Sequence, residues 1–500
     1  MTIASATSEA APPTFPQKLG HPRPLWMLFM AEFWERFAFY GIRWAMTLYI
    51  VAEFYNHSPA GEKPAGELYG AYLALVYAAA IFGGYVADKI IGYQRSTLLG
   101  AVIMAAGFFM TSVPNPEIFR LGLATIIVGN GLFKPIISTL VGKLYAQSDV
   151  RRDSGFTIFY MGINLGAMIA PVVTQALAKQ VFGTPAHDAY KVVFLAAGFG
   201  MLISLTWFWF GRKQLQGIGA PTPETAGIQR VLLVLLGGAV LGVPAFYALL
   251  SIDAKILQFI LIALFLGPAI MLLLAGIRDG KVARDKVIAM LVIFVFNVLF
   301  WMFFEQAGSS FNFLAEKIVN RQFGSWEFPV AWFQSVNSIA IIAFAPILAW
   351  LWVRMGKKNP SIPRKFGLGL LFNGLAFLLL MIALSKFLDV DTGKVPFWTL
   401  FMVYVIQSVG ELCLSPIGLS MTTKLAPARL TGFAMGAWFL SVAIGNNLSG
   451  IFAGWVSGES GMTVASARTG YTFGFWALLM CGTLLYLLAP RINKLMHGVK

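Results

Sequence analysis

Apolar stretches near 20 residues long recur along the chain from Leu25 to Leu488, and they constrain its fold more than any other feature. A helix of about 20 residues crosses the roughly 30 Å of hydrocarbon in a bilayer. Hydrocarbon offers no partner to a free backbone N–H or C=O, so these segments must be helices that satisfy themselves. Low charge alone, 12% of 500 residues, would also fit a large soluble core. The length and number of the apolar runs decide for a membrane protein.

Fourteen spans are expected. Six lie at about 25–51, 69–91, 97–113, 119–145, 154–180 and 190–210, and two plainer ones at about 229–250 and 255–276. Six more follow at about 286–317, 327–354, 365–386, 396–424, 430–456 and 470–490. The Gly/Pro-rich segment from Arg212 to Gly227 and the basic segment Arg278–Lys286 separate the three groups. This predicts an all-α integral membrane protein of two six-helix bundles with an extra two-helix hairpin between them. The expected divisions are a tail at 1–24, bundles at 25–211 and 284–492, the linker with its two spans at 212–283, and a tail at 493–500.

The formal charge of +15 raises the question of nucleic acid. Most of the 37 basic residues fall in segments on one side of the spans, Arg151, Arg152, Lys213, Lys357, Lys358 and Arg364 among them. Basic loops stay cytoplasmic, so both termini are expected in the cytoplasm, and the charge reports topology rather than nucleic-acid binding. The first 20 residues are polar and Pro/Ala-rich, without the apolar core of a signal peptide, and read as a short disordered tail. Cys413 and Cys481 lie within apolar spans and suggest neither a disulfide nor a metal site. All four histidines lie in tails or loops, so a proton relay inside the membrane has to use carboxylates.

Carboxylates are present where they are expensive. The first span, LWMLFMAEFWERFAFYGIRWAMTLYIV, holds Glu32, Glu35, Arg36 and Arg43. One mid-membrane charge costs about 2.5–3.5 kcal/mol on insertion scales, so four must face protein, water or each other. Helical spacing puts Glu32, Arg36 and Arg43 on one narrow face with Tyr40 nearby, and Glu35 to one side. Lys134 stands before Pro135, Glu305 lies in VLFWMFFEQAGSSFNF, and Glu411 in VIQSVGELCLSPIGLS. These seven charges sum to −1, which a proton or a substrate ammonium would balance. Burial raises a carboxylate's pKa and a nearby Arg or Lys lowers it, so alternating between the two makes a proton switch. Pro135, Pro171, Pro346 and Pro416 interrupt other spans, as in transporters whose broken helices surround a midplane site.

Particular residues carry a family resemblance. They are Glu32-Phe33-Trp34-Glu35-Arg36-Phe37, the run from Phe159 to Gly166 continuing to Pro171, and Gly410-Glu411-Leu412 with Ser415-Pro416-Ile417-Gly418-Leu419. Gly84–Lys89 with Gly92 and Arg95 adds a weaker loop motif. From about Pro24 to Ile492 the chain resembles the proton-dependent oligopeptide transporter family of the major facilitator superfamily.

The resemblance implies two bundles around a central cavity, alternating access, and symport of di- and tripeptides with protons. It casts Glu32, Glu35 and Arg36 as a proton-coupling cluster with Lys134 as its fourth-helix partner, and Glu305 as an acid that pairs with Arg43 and is protonated during the cycle. It gives the peptide carboxylate to Arg43 and Lys134, and the peptide ammonium to Glu411 helped by Asn164 and Asn337. Tyr40, Tyr77, Trp301 and Trp438 would shape side-chain pockets. Phe39 departs from the family, many of whose members carry a second tyrosine beside Tyr40. The expected ligands are peptides and protons, with H+ as coupling ion, no cofactor, and a monomer as working unit. Proton-coupled carriage of nitrate, drugs or amino acids is the nearest rival. Nitrate carriers of the family tend to alter the first-helix cluster or use an intramembrane His, and this chain does neither. An enzyme would show a metal cluster or nucleophile motif near the interface, and the sequence holds none.

Overall fold

The computed structural model describes residues 13–146, 149–184 and 187–499. Residues 1–12 and Lys500, parts of the two expected tails, lie outside the described residues. The described part of the N-terminal tail is folded, contrary to the expected disorder. Gln17–Lys18 pairs antiparallel with His21–Pro22, and Phe15 is buried.

The first group of helices comprises α1 (Arg23–Tyr49), α2 (Glu62–Val86), α3 (Tyr93–Thr111), α4 (Pro116–Lys143), α5 (Arg152–Ala176) and α6 (Lys191–Gly211). The hairpin consists of α7 (Ile228–Gly237), running through a π turn into α8 (Val243–Ser251), and α9 (Ala254–Arg278). The last group begins with α10 (Lys281–Phe304), which breaks at a 3-10 turn, Glu305–Gly308, and resumes as α11 (Ser310–Lys317). It continues with α12 (Trp332–Met355), α13 (Ile362–Lys386), α14 (Phe397–Leu425), α15 (Thr431–Ser457) and α16 (Val464–Leu495). Among the described residues 12 continuous helical segments are long and apolar enough to cross a membrane. The charged α1 and the shorter α3 stand in sequence with them and complete the expected order.

Helix starts follow local chemistry. Asn115 Oδ1 accepts the Glu117 and Ile118 N–H groups at 2.9 and 3.0 Å to open α4, and Asp253 does the same for α9. Thr463 and Ser466 form a reciprocal capping box on α16. The clearest boundary difference is α2, which begins at Glu62 rather than near 69. Its polar first turn hid it in the sequence. In the fold, Glu62 is buried and pairs with Lys317, and its other oxygen accepts the Met462 N–H at 2.7 Å.

In the first half α1 packs on α5 and α6, α3 on α4 and α6, and α2 on α4. In the second, α10 packs on α15, and α13 on α14 and α16. The halves meet where α2 lies on α15 and α5 on α12. The α2–α15 approach needs glycine: a Cβ on Gly70 would stand 2.6 Å from the Gly450 Cα. The hairpin sits outside, α8 on α4 and α9 on α10 and α15, and α7 buries no residue.

The two ends of the molecule differ. At the end where α2 begins, Glu62–Lys317, Lys63–Glu459 and Lys179–Glu327 pair across the halves. Toward the other end, Tyr85 and Tyr160 are 65% and 38% exposed. Ion pairs therefore join the halves at the Glu62 end.

Candidate functional site

The charges of α1 do not stand free. Arg36 binds Glu35 through two N–H groups, Nη2 donating to Oε1 at 2.6 Å and Nε to Oε2, and reaches Glu32 Oε1 at 3.2 Å. All three side chains are buried. A bidentate guanidinium–carboxylate fork is the geometry that makes such burial tolerable. Asn130 on α4 donates to Glu35 Oε1 at 3.4 Å, while Glu32 Oε2 is buried with no hydrogen-bond partner among the described residues. Glu35 is thus fully engaged and Glu32 half engaged.

Lys134 lies one turn beyond Asn130 on α4 and is partly exposed. Its ammonium sits over the Tyr77 ring at 3.9 Å and forms no ion pair within 4.0 Å among the described residues. A cation held by an aromatic face keeps its hydrogen-bonding capacity for an incoming anion.

Arg43 crosses to the other half. Its Nη2 donates to Glu305 Oε2 at 2.7 Å and its Nε to the Tyr69 hydroxyl at 3.0 Å. Glu305 is placed by the 3-10 turn that breaks the span between α10 and α11. The break ends at Gly308, where a Cβ would lie 1.8 Å from the Tyr69 Oη, so glycine is required for the close approach. Asn312, one turn on, donates to the Trp44 carbonyl of α1 at 3.1 Å. The ion pair and this bond join the halves.

Glu411 on α14 accepts from Asn337 Nδ2 of α12 at 3.2 Å, and Asn337 also donates to Ser408 Oγ at 2.9 Å. The expected Glu411–Asn337 association is therefore present. Asn164 is placed otherwise: its amide donates back to the Tyr160 carbonyl of its own helix at 3.0 Å. Trp301 donates to Asn297 Oδ1 at 3.1 Å, and Asn297 donates to Ser441 Oγ at 2.9 Å. Tyr40 is partly exposed, with the Arg43 guanidinium 5.6 Å from its ring centroid. Trp438 differs from the expected pocket wall. It is buried against Phe294 and Phe366, over Gly418, where a Cβ would come within 2.1 Å of its ring. In this conformation its ring belongs to the second half's packing.

The sequence reading missed Tyr69, Asn130, Asn297 and Asn312. Asn130 was findable from its four-residue spacing to Lys134 on a helix face. Tyr69 carried no signal, because a tyrosine at the edge of a span reads as an interfacial anchor.

Two helical halves joined through an intramembrane ion pair fit a secondary transporter of the major facilitator type. Within that class the chain belongs to the POT family, whose family model matches residues 95–466. An uncharacterized transporter, YclF, of Bacillus subtilis (strain 168) is 34% identical, the match covering 99% of this chain and 100% of that one. The dipeptide and tripeptide permease B of Aeromonas hydrophila is 33% identical over 96% of this chain and 95% of its own. The crystal structure of peptide transporter POT in complex with sulfate is similar with a TM-score of 0.82 and 34% identity, covering 97% of this chain and 98% of that one.

Proposed function

We propose that this chain is a proton-coupled symporter that imports di- and tripeptides across the cytoplasmic membrane by alternating access. The observation that carries the reading is the Arg43–Glu305 pair, which ties one half to the other, together with a partly exposed Lys134 that has no ion pair among the described residues. A peptide carboxylate fits between Arg43 and Lys134, and its approach competes with Glu305 for Arg43. Protonation of Glu305 removes that competitor, so proton and peptide binding support each other. Glu411, held by Asn337 from the second half, is the complementary anchor for the peptide ammonium. A peptide clamped at both termini spans the two halves, while its side chains meet Tyr40, Tyr77 and Trp301.

The Glu32–Glu35–Arg36 cluster, with Lys134 beside it, holds the remaining proton-sensitive charge in the first half. The family's transport role and the likeness to a dipeptide and tripeptide permease support this reading over an enzymatic one. The basic loops support cytoplasmic termini, which makes the ion-paired Glu62 end the outward end. One chain supplies both halves of the site, which makes a monomer the working unit.

The test is uptake of labelled dialanine into proteoliposomes under an imposed inward proton gradient, with tripeptides, longer peptides, single amino acids and nitrate as competitors. Gradient-dependent uptake, inhibited by di- and tripeptides and not by the others, is expected. Absence of gradient-driven dipeptide uptake by folded protein would overturn the proposal.

A further inference from the structure

A separate cavity lies at the Glu62 end, where the turn of the hairpin rests against the first half. It has a volume of about 340 Å3 and is enclosed by the end of α1, the starts of α2 and α4, and the α8–α9 turn. Most of its wall is apolar, with Phe54, Leu68, Phe119 and Leu250 among the lining side chains. Three charged groups enter it: Glu67 from α2, Arg120 from α4 and Asp253 from the hairpin turn. Among the described residues neither Glu67 nor Arg120 has an ion-pair or hydrogen-bond partner, although each is partly buried. Neighbouring Lys63 is engaged with Glu459, and Asp253 caps α9. A carboxylate and a guanidinium facing one cavity without pairing leave capacity for a ligand that carries both opposite charges.

We propose that this cavity binds the headgroup of a phospholipid with a primary ammonium, phosphatidylethanolamine, from the adjacent leaflet. The position argues for a lipid. The cavity lies at the level where several spans end, against the α8–α9 turn of the peripheral hairpin. The charge set argues for the headgroup. Two carboxylates and one guanidinium disfavour a purely anionic lipid, while Arg120 offers phosphate a forked donor. Glu67 and Asp253 accept hydrogen bonds that an ammonium donates and a quaternary choline does not. The bound lipid seals the seam between hairpin and bundle. None of this rests on the peptide assignment.

Native mass spectrometry of the purified full chain, with equimolar dioleoyl phosphatidylethanolamine, phosphatidylcholine and phosphatidylglycerol, tests it. Phosphatidylethanolamine is expected to be retained preferentially. Glu67→Gln and Arg120→Gln should each reduce that retention about tenfold, the size of one lost charge-assisted hydrogen bond. Melting temperature and size-exclusion profile report whether each variant remains folded. Equal retention of the three lipids, or unchanged selectivity in both folded variants, would overturn the proposal. Equally strong binding of soluble phosphoethanolamine would overturn the lipid assignment.

Discussion

Glu32 and Glu35 share one helix and one arginine, yet the fold treats them differently. Glu35 makes two hydrogen bonds to Arg36 and a third contact to Asn130, whereas Glu32 makes one contact and leaves an oxygen unpartnered. Removing one member of a buried ion pair costs about 3–5 kcal/mol because the other is left uncompensated. Glu35→Gln should therefore lower the melting temperature in detergent clearly more than Glu32→Gln. Equal shifts would show that the two carboxylates are interchangeable supports.

Glu411 gives a functional counterpart at the same scale. Glu411→Gln should weaken uptake of peptides with a free N-terminus far more than of N-blocked ones, and equal losses would refute an ammonium-binding role. Gly308→Ala has no room beside the Tyr69 hydroxyl. It should disturb the Arg43–Glu305 geometry and abolish uptake, and retained uptake by the folded variant would show that this close approach is not required.

Between elements, the decisive contact is α2 on α15. Gly70 and Gly450 let the two backbones approach toward the Glu62 end, where bulk on either helix has nowhere to go. Gly450→Leu should hold this end apart and favour the conformation open there. Spin labels on α2 and α15 near that end are expected to move further apart than in the parent, and an unchanged distance distribution would argue against the contact as a closing surface. The break between α10 and α11 belongs to the same scale. A straight helix would carry Glu305 on a continuous face, and the 3-10 turn instead aims it at Arg43.

At the scale of the whole molecule, ion pairs latch the halves at the Glu62 end. Glu327 accepts from Lys179 across the halves at 3.1 Å and pairs with Arg321 of its own half at 2.8 Å. Burial tends to raise the Glu327 carboxyl, but Arg321 and Lys179 outweigh it and hold the group below its ordinary 4.5. A carboxylate with a lowered pKa contributes its stability above the ordinary value, and loses it as pH falls through the lowered one. The latch should therefore loosen only in acid, below about pH 4.5. Labels on either side of this end should report opening there, and Glu327→Gln should abolish that pH dependence. Because Glu327 is about one-third exposed, the effect is expected to be modest.

What was legible in the sequence follows from the cost of being wrong in a membrane. Apolar length and intramembrane charge are so heavily constrained by hydrocarbon that the order of the spans and the residues Glu32, Glu35, Arg36, Arg43, Lys134, Glu305 and Glu411 could be read one at a time. The start of α2 could not, because Glu62 is polar and its burial depends on Lys317 and on the Met462 N–H, far away in the chain. The Arg43–Glu305 pair was implied by the family resemblance and is present in the fold. That Arg43 also meets Tyr69, that Lys134 rests on an aromatic ring, and that Trp438 turns into its own half are consequences of which helix faces meet. By itself the sequence determined a fourteen-span membrane protein with costly charges in both halves. Only the tertiary structure decided which charges compensate one another and which remain free, because hydrogen bonds and ion pairs act over a few ångströms that chain separation does not reveal.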